Sequence, residues 1–276
     1  MRSRMLLLAS VITLIAPLHA LWAAAEPTTA TEGSDSEAEL AKKLQNPIAN
    51  LISIPVQNNW DFNIGPEDAY KYTSNVQPVI PFSISEDWNV ITRTIMPFVH
   101  AQSPEPGGDN VTGMGDTTQS FFFSPKAPTS DGWVWGVGPA FLWPTSSSSR
   151  LGTGKTGAGP TVVLLKQKDG WTYGFLGNQI WSFAGKSTTS DVNSTFAQPF
   201  FTYTTKSYTS LGLTSESTYD WEAREWTVPL NINASQLLKL GKLPIQFLAG
   251  PRFYLHTPDG GPNFGLRFMV TLLLPE

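Results

Sequence analysis

The chain has 276 residues and no Cys, with 18 Lys and Arg against 22 Asp and Glu; 14% of its residues are charged, 41% are apolar and 10 are Trp. The lack of Cys excludes a disulfide framework, a thiolate zinc site and a thiol nucleophile. Charge well below the ~25% of an ordinary soluble domain, combined with this much Trp, excludes a disordered chain, and the absence of any Lys/Arg run excludes nucleic acid as a partner.

The chain opens Met-Arg-Ser-Arg, continues with an apolar run over residues 5–16, and places Ala23-Ala24-Ala25 before Glu26. That layout predicts an export signal over residues 1–25. Without Arg2 and Arg4, 16 basic residues remain against 22 acidic ones. No later run reaches the ~18 consecutive apolar residues of a spanning helix. Residues 26–46 read as a periplasmic linker and short helix. Residues 27–35 are rich in Thr, Glu and Ser; Ser36 and Glu39 have the spacing of a capping box, and the helix expected over residues 37–45 stops at Asn46-Pro47.

From residue 50 the apolar period becomes two. Phe264, Leu266, Phe268, Val270, Leu272 and Leu274 alternate with Gly265, Arg267, Met269 and Thr271, and Trp226, Val228, Leu230, Ile232 and Ala234 oppose Thr227, Pro229, Asn231, Asn233 and Ser235. Such runs recur over residues 50–64, 69–83, 88–99, 114–124, 133–143, 156–167, 171–183, 191–205, 208–221, 226–238, 243–255 and 263–274. Short connections follow the second, sixth, eighth and tenth runs, and long polar ones occupy residues 100–113 and 144–155. An even number of amphipathic strands, with short turns at one end and longer loops at the other, is the pattern of an outer-membrane barrel. Residues 47–276 are therefore expected to form an all-β transmembrane barrel of about 12 antiparallel strands in the outer membrane of a Gram-negative bacterium, with lipid and lipopolysaccharide as its surroundings.

Trp133 and Trp143 are ten residues apart, as are Trp171 and Trp181. Even spacing keeps each pair on one face, and ten residues at ~3.3 Å with ~40° of tilt cover ~25 Å, the height of the apolar band between two aromatic girdles. Gln179 falls on that same outward face. Charge facing lipid is costly, so Asn59, Asp61, Lys71, Asn75, Gln77, Arg93, Glu216, Asn231, Asn233, Gln246, Arg252 and Arg267 are expected to line the lumen, with Gln57 and Asp116 beside them. Twelve strands lie between the filled eight-stranded barrel and the water-filled sixteen-stranded one, so the lumen is a narrow pore or a plugged one.

Two chemical temptations fail on spacing. Residues 149–156, S-R-L-G-T-G-K-T, approach a phosphate-binding loop, but Ser149 replaces the first Gly, and G-A-G-P follows where a helix N-terminus is required. A polar outer loop is expected instead. For a hydrolase mounted on the barrel wall, the candidate bases after the signal are His100 and His256, and neither has a Ser two residues away on one face. No catalytic residue, metal cluster or cofactor is expected; a lipid-modifying hydrolase and a non-conducting structural barrel are the alternatives to a channel.

Ordered phrases along the chain carry a family resemblance: N-P-I-A-N-L-I-S-I-P from Asn46, Y-T-S-N-V-Q-P-V-I-P-F from Tyr72, S-F-F-F-S-P-K from Ser120, W-V-W-G-V-G-P from Trp133, L-G-T-G-K-T-G-A-G-P from Leu151, I-W-S-F-A-G from Ile180 and E-S-T-Y-D-W from Glu216. The sequence resembles the bacterial outer-membrane family named for the meta pathway of phenol degradation, whose members are labelled "transporter" or "neuromedin U". The resemblance implies an outer-membrane barrel that passes small solutes, aromatic or hydrophobic compounds among them, and supplies no catalytic residues. One departure is the ending Leu274-Pro275-Glu276, where many such barrels finish on an aromatic residue.

Overall fold

The alternating runs become twelve antiparallel strands in the computed structural model, which describes residues 33–241 and 243–274. The expected export signal, the linker up to residue 32, Lys242 and the last two residues lie outside the described residues. The strands are β1 (Ile52–Ile64), β2 (Ala69–Val76 and Val79–Ser83), β3 (Trp88–Ala101), β4 (Val111–Met114 and Thr117–Pro125), β5 (Trp133–Trp143), β6 (Lys155–Lys168), β7 (Trp171–Gly185), β8 (Asn193–Thr204), β9 (Thr209–Ser215 and Ser217–Asp220), β10 (Glu225–Leu240), β11 (Leu243–His256) and β12 (Phe264–Leu274). Each pairs with its neighbours in sequence, and β1 closes on β12 in unbroken register from Ile52↔Leu274 to Phe62↔Phe264. Closure leaves no unpaired edge, which a membrane-spanning sheet requires.

Asp169-Gly170 forms a two-residue hairpin between β6 and β7 in which both residues have positive φ, 52° and 82°. That is the geometry of a primed turn, which matches the twist of the strands it joins. Three strands expected to be continuous are interrupted, at Gln77-Pro78, at Gly115-Asp116 and at Glu216. Pro78 has no N–H to give the ladder. At Gly115 the N–H leaves the regular register to bond Pro97 O at 2.8 Å, and Glu216 falls opposite Pro229 on β10, between the Ser215↔Leu230 and Thr218↔Thr227 pairs.

The barrel turns its apolar side chains outward. Leu266 and Phe268 on β12 are exposed while Arg267 between them and Thr271 beyond are buried, and Phe183 and Leu255 are more than 65% exposed. In water such a surface would drive aggregation; in hydrocarbon it is the solvated face. Val270→Arg would place a guanidinium there, costing ~2–4 kcal/mol near the bilayer midplane. Refolding of that variant into bilayers, followed by heat-modifiable gel mobility, should fall well below wild type; equal yields would show that Val270 does not face lipid.

Trp133 and Trp171 begin their strands and Trp143 and Trp181 stand near the other end, all on the outward face. Trp171 lies 4.7 Å and 4.6 Å from Phe201 and Tyr203, and Trp133 meets Tyr173 edge-on at 6.0 Å with Lys166 Nζ 5.7 Å above its ring. Outward Gln179 is accommodated by polar neighbours. It donates to Asn193 Oδ1 at 2.9 Å and accepts from the Thr195 hydroxyl, which in turn accepts from Trp221 Nε1 at 2.8 Å.

The single helix among the described residues, α1, spans Gly33–Leu44 and so starts four residues earlier than the 37–45 expectation. Ala, Glu, Leu and Lys are strong helix formers, and Lys42 and Lys43 in the last turn complement the helix dipole. Within residues 38–276, which form one compact unit, Ala41 and Leu44 pack with Leu237 and Leu273 at the barrel end that carries β1's start and β12's finish.

Candidate functional site

Successive strands send alternate side chains inward, so the interior inherits two different sequence patterns. On β3–β7 both faces of the sheet are apolar in places. Ile91, Phe122, Val163, Leu165 and Leu176 point inward and are almost wholly buried, and they form one cluster with Val79 of β2 and with Ile48 from the segment between α1 and β1. Phe196 and Phe200 of β8 pack against it. The lumen is therefore lined by an apolar sector as well as by polar residues. Runs such as Val162-Val163-Leu164-Leu165, with Val162 and Leu164 exposed to the outside, supply both the lipid face and an apolar interior sector.

The remaining strands, β1, β2 and β9–β12, bring a charged layer to mid-barrel. Arg267 of β12 engages Glu216 of β9 through both ends of its fork, Nη1 to Oε1 at 2.8 Å and Nη2 to Oε2 at 2.6 Å, and donates Nε to Asn59 Oδ1 at 2.8 Å. Arg252 of β11 reaches the same carboxylate at 3.2 Å, Asn231 Oδ1 at 3.2 Å, the Tyr254 hydroxyl at 3.0 Å and Asp61 Oδ1 at 3.1 Å. Bidentate charge-assisted bonds fix geometry as well as charge. Gly250 of β11, opposite Arg267, allows the wall to close beside this layer: a methyl group there would sit 1.9 Å from Ile232 O.

The residues expected to line the lumen, Asp116 excepted, lie on the inward face. Asn59, Asp61, Lys71, Asn75 and Arg252 border an outer cavity of about 500 Å³, roofed by residues 257–262. Gln77, Arg93, Asn233, Gln246 and Arg267 border an inner cavity of about 210 Å³, and Glu216 and Gln57 border both. Asn231 is fully buried in the wall, its amide donating to Thr214 O at 3.1 Å. Residues 43–47, with Ala49 and Leu51, form part of the inner cavity's lining, so the segment before β1 occupies the interior that sequence alone left open or plugged. Asp116 does not join this set. Its carboxylate accepts from Ser146 N at 3.2 Å, Thr153 N at 2.6 Å and Thr153 Oγ1 at 2.8 Å, and so clamps the loop over residues 144–154.

That loop contains the phosphate-loop lookalike, and the structure runs it directly into β6. Arg150 braces the neighbouring loop through Asp109 O at 2.7 Å and Asn110 O at 3.1 Å. Lys155 donates to Asp191 at 2.9 Å; this hydrogen bond and the ammonium's charge hold the Asp191 carboxyl below its ordinary value. His100 is turned to Thr112, Nδ1 to Oγ1 at 2.6 Å, whereas the Ser103 hydroxyl donates to Glu105 O at 3.0 Å. Among the described residues no group of three or more acidic or His side chains has metal-ligand geometry.

A closed twelve-stranded wall, apolar outside and charged within, defines an outer-membrane type of β-barrel, and no described helix is long and apolar enough to cross a membrane. No protein-family model and no curated protein matches the chain. Among solved structures it is similar to an outer membrane channel from Pseudomonas putida F1, with 15% identity and a TM-score of 0.63 over 81% of this chain and 96% of that one. More distant likenesses are to the β domain of the Bordetella autotransporter BrkA (7% identity, TM-score 0.44, 81% and 100% covered) and to a FadL homologue from Pseudomonas aeruginosa (12%, 0.38, 83% and 92%). The first shares the fold of this chain, that of Gram-negative outer-membrane barrels.

Proposed function

We propose that the protein is a passive outer-membrane channel for small solutes, a member of the phenol meta-pathway family, with aromatic or hydrophobic compounds among its cargo. The observation that carries this reading is the pair of cavities in series along the barrel, about 500 Å³ and 210 Å³, which share Glu216 and Gln57 at the charged layer. A barrel serving only as a structural element has no need of two chambers meeting at a charged layer. The resemblance to a known channel in fold, and the family phrases in the sequence, support the same conclusion.

Purified protein in planar lipid bilayers should give discrete single-channel steps. Absence of any conductance, in protein shown to be folded by its heat-modifiable mobility, would refute the channel. The orientation follows from turn length. Epitope tags beside Asn110 and Ser147 should be reached by antibody on intact cells and a tag at Asp169 should not; labelling at Asp169 would invert the barrel.

One contact favours a second reading, an enzyme acting on membrane lipid: His100 with Thr112 pairs an imidazole and a hydroxyl near the looped end of the barrel. If the barrel only conducts, replacing His100 and His256 together with Ala leaves conductance and assembly unchanged. A lipid hydrolase activity present in the wild type and lost in that variant would favour the enzyme.

A further inference from the structure

We infer that the inner cavity is a binding site for the carboxylate of a small organic acid, with Arg93 as its anchor. The charged layer and the inner cavity together hold three guanidiniums, Arg93, Arg252 and Arg267, against two carboxylates, Asp61 and Glu216. Both carboxylates are already committed. Glu216 takes the fork of Arg267 and an arm of Arg252, and Asp61 faces Arg252 rather than Lys71 across the β1–β2 ladder. Arg93 is left with a neutral acceptor, Gln77 Oε1 at 2.8 Å. Lys43, also at the cavity, is paired with Glu39 at 3.1 Å.

Glu216 acts on Arg93 through charge alone while its oxygens bond Arg252 and Arg267, so an anion entering beside Arg93 would give the third guanidinium a direct partner. A bare inorganic anion would leave the rest of the lining unused. Val79, Phe200, Leu248 and Met269 give the same cavity an apolar side, next to Arg93 and the amides of Gln77 and Gln246. An apolar body with one carboxylate meets both halves. In size, a ~150 Å³ apolar cavity already admits benzene, so 210 Å³ has room for a single ring and its carboxylate.

This inference gives the proposed channel its cargo class, and two measurements separate the claims. In detergent, calorimetric titration of the full-length barrel with sodium benzoate should give saturable binding, with benzamide, a neutral analogue, weaker by about tenfold or more, the worth of one charge-assisted hydrogen bond. Arg93→Gln should lose about the same factor, and Arg93→Lys, which keeps the charge and loses the fork, should fall between. In bilayers, the reversal potential under a KCl gradient should favour anions, and benzoate should reduce the chloride current.

Equal binding of benzoate and benzamide, or undiminished benzoate binding by Arg93→Gln, overturns the site. If Arg93→Gln does not fold, the wild-type comparison of the two ligands still decides. Conductance without benzoate binding leaves the channel standing and removes the site; benzoate binding without conductance does the reverse.

Discussion

Ile48→Asp should raise the single-channel conductance several-fold while the barrel stays folded. Ile48 is 4% exposed and sits inside the apolar sector among Ile91, Phe122, Val163 and Leu165. Full burial of such a side chain contributes about 2 kcal/mol, more than tenfold in the ratio of seated to unseated segment. Few polar ties assist it: Gln167 Nε2 donates to Lys42 O at 2.8 Å, and Gln45 Nε2 approaches Ser210 Oγ at 3.4 Å. An ionised carboxylate cannot remain in that cluster without a partner, so the substitution reverses the preference and releases residues 45–51 from the inner half of the lumen.

The wall does not depend on this segment, because its ladders close through β1 and β12, which begin after it. The expected signature is therefore higher conductance in a barrel that still folds, with stability lowered by no more than the ~2 kcal/mol of the lost burial. Ile48→Val, a loss of ~0.5–1.5 kcal/mol, should give brief openings at most. Unaltered conductance in folded Ile48→Asp protein, and again in a chain lacking residues 26–49, would mean that the charged layer alone limits flow.

Parity along single strands made the wall legible from sequence. Each inward or outward assignment needs only the period of two and a knowledge of which face meets lipid, and Arg252, Arg267, Gln57, Asn59, Asn75, Asn231 and Asn233 lie on the inner side of their strands. What parity cannot supply is height along the barrel axis and the identity of the strand across the lumen. Arg267 and Glu216 are 51 positions apart, on strands that are not hydrogen-bonded neighbours, and they meet only because the barrel closes. The apolar sector escaped for another reason. Phe121-Phe122-Phe123 and Val162-Val163-Leu164-Leu165 have no alternation to read, and an uninterrupted apolar run is the signal of a strand buried on both faces. Asp116 misled because its position lies next to the break at Gly115, where parity is reset and the carboxylate is free to serve a loop.

Glu216→Gln should lower the barrel's stability by ~3–5 kcal/mol, the cost of leaving one member of a buried ion pair without its partner. The geometry places the loss at a definite point. Both Glu216 oxygens are used, 2.8 Å and 2.6 Å from Arg267 with Arg252 at 3.2 Å, and an amide can return only one of those acceptors. The same change leaves three guanidiniums against Asp61 alone, so anion preference in a KCl gradient should rise as stability falls. Adding Arg267→Met removes the stranded cation: Arg252 keeps Asp61 at 3.1 Å and Asn231 at 3.2 Å, and the layer returns to one excess positive charge, as in the wild type. Replacing both members of a buried pair is often near neutral, so the double variant should recover most of the lost stability and the wild-type reversal potential together. Urea unfolding in lipid vesicles and bilayer recordings on the same three proteins measure the two effects separately. A double variant no more stable than Glu216→Gln would mean that Glu216 is held by Arg252 and the wall rather than by Arg267. Recovery of stability without recovery of selectivity would place the ion filter elsewhere, at Lys71 in the outer cavity.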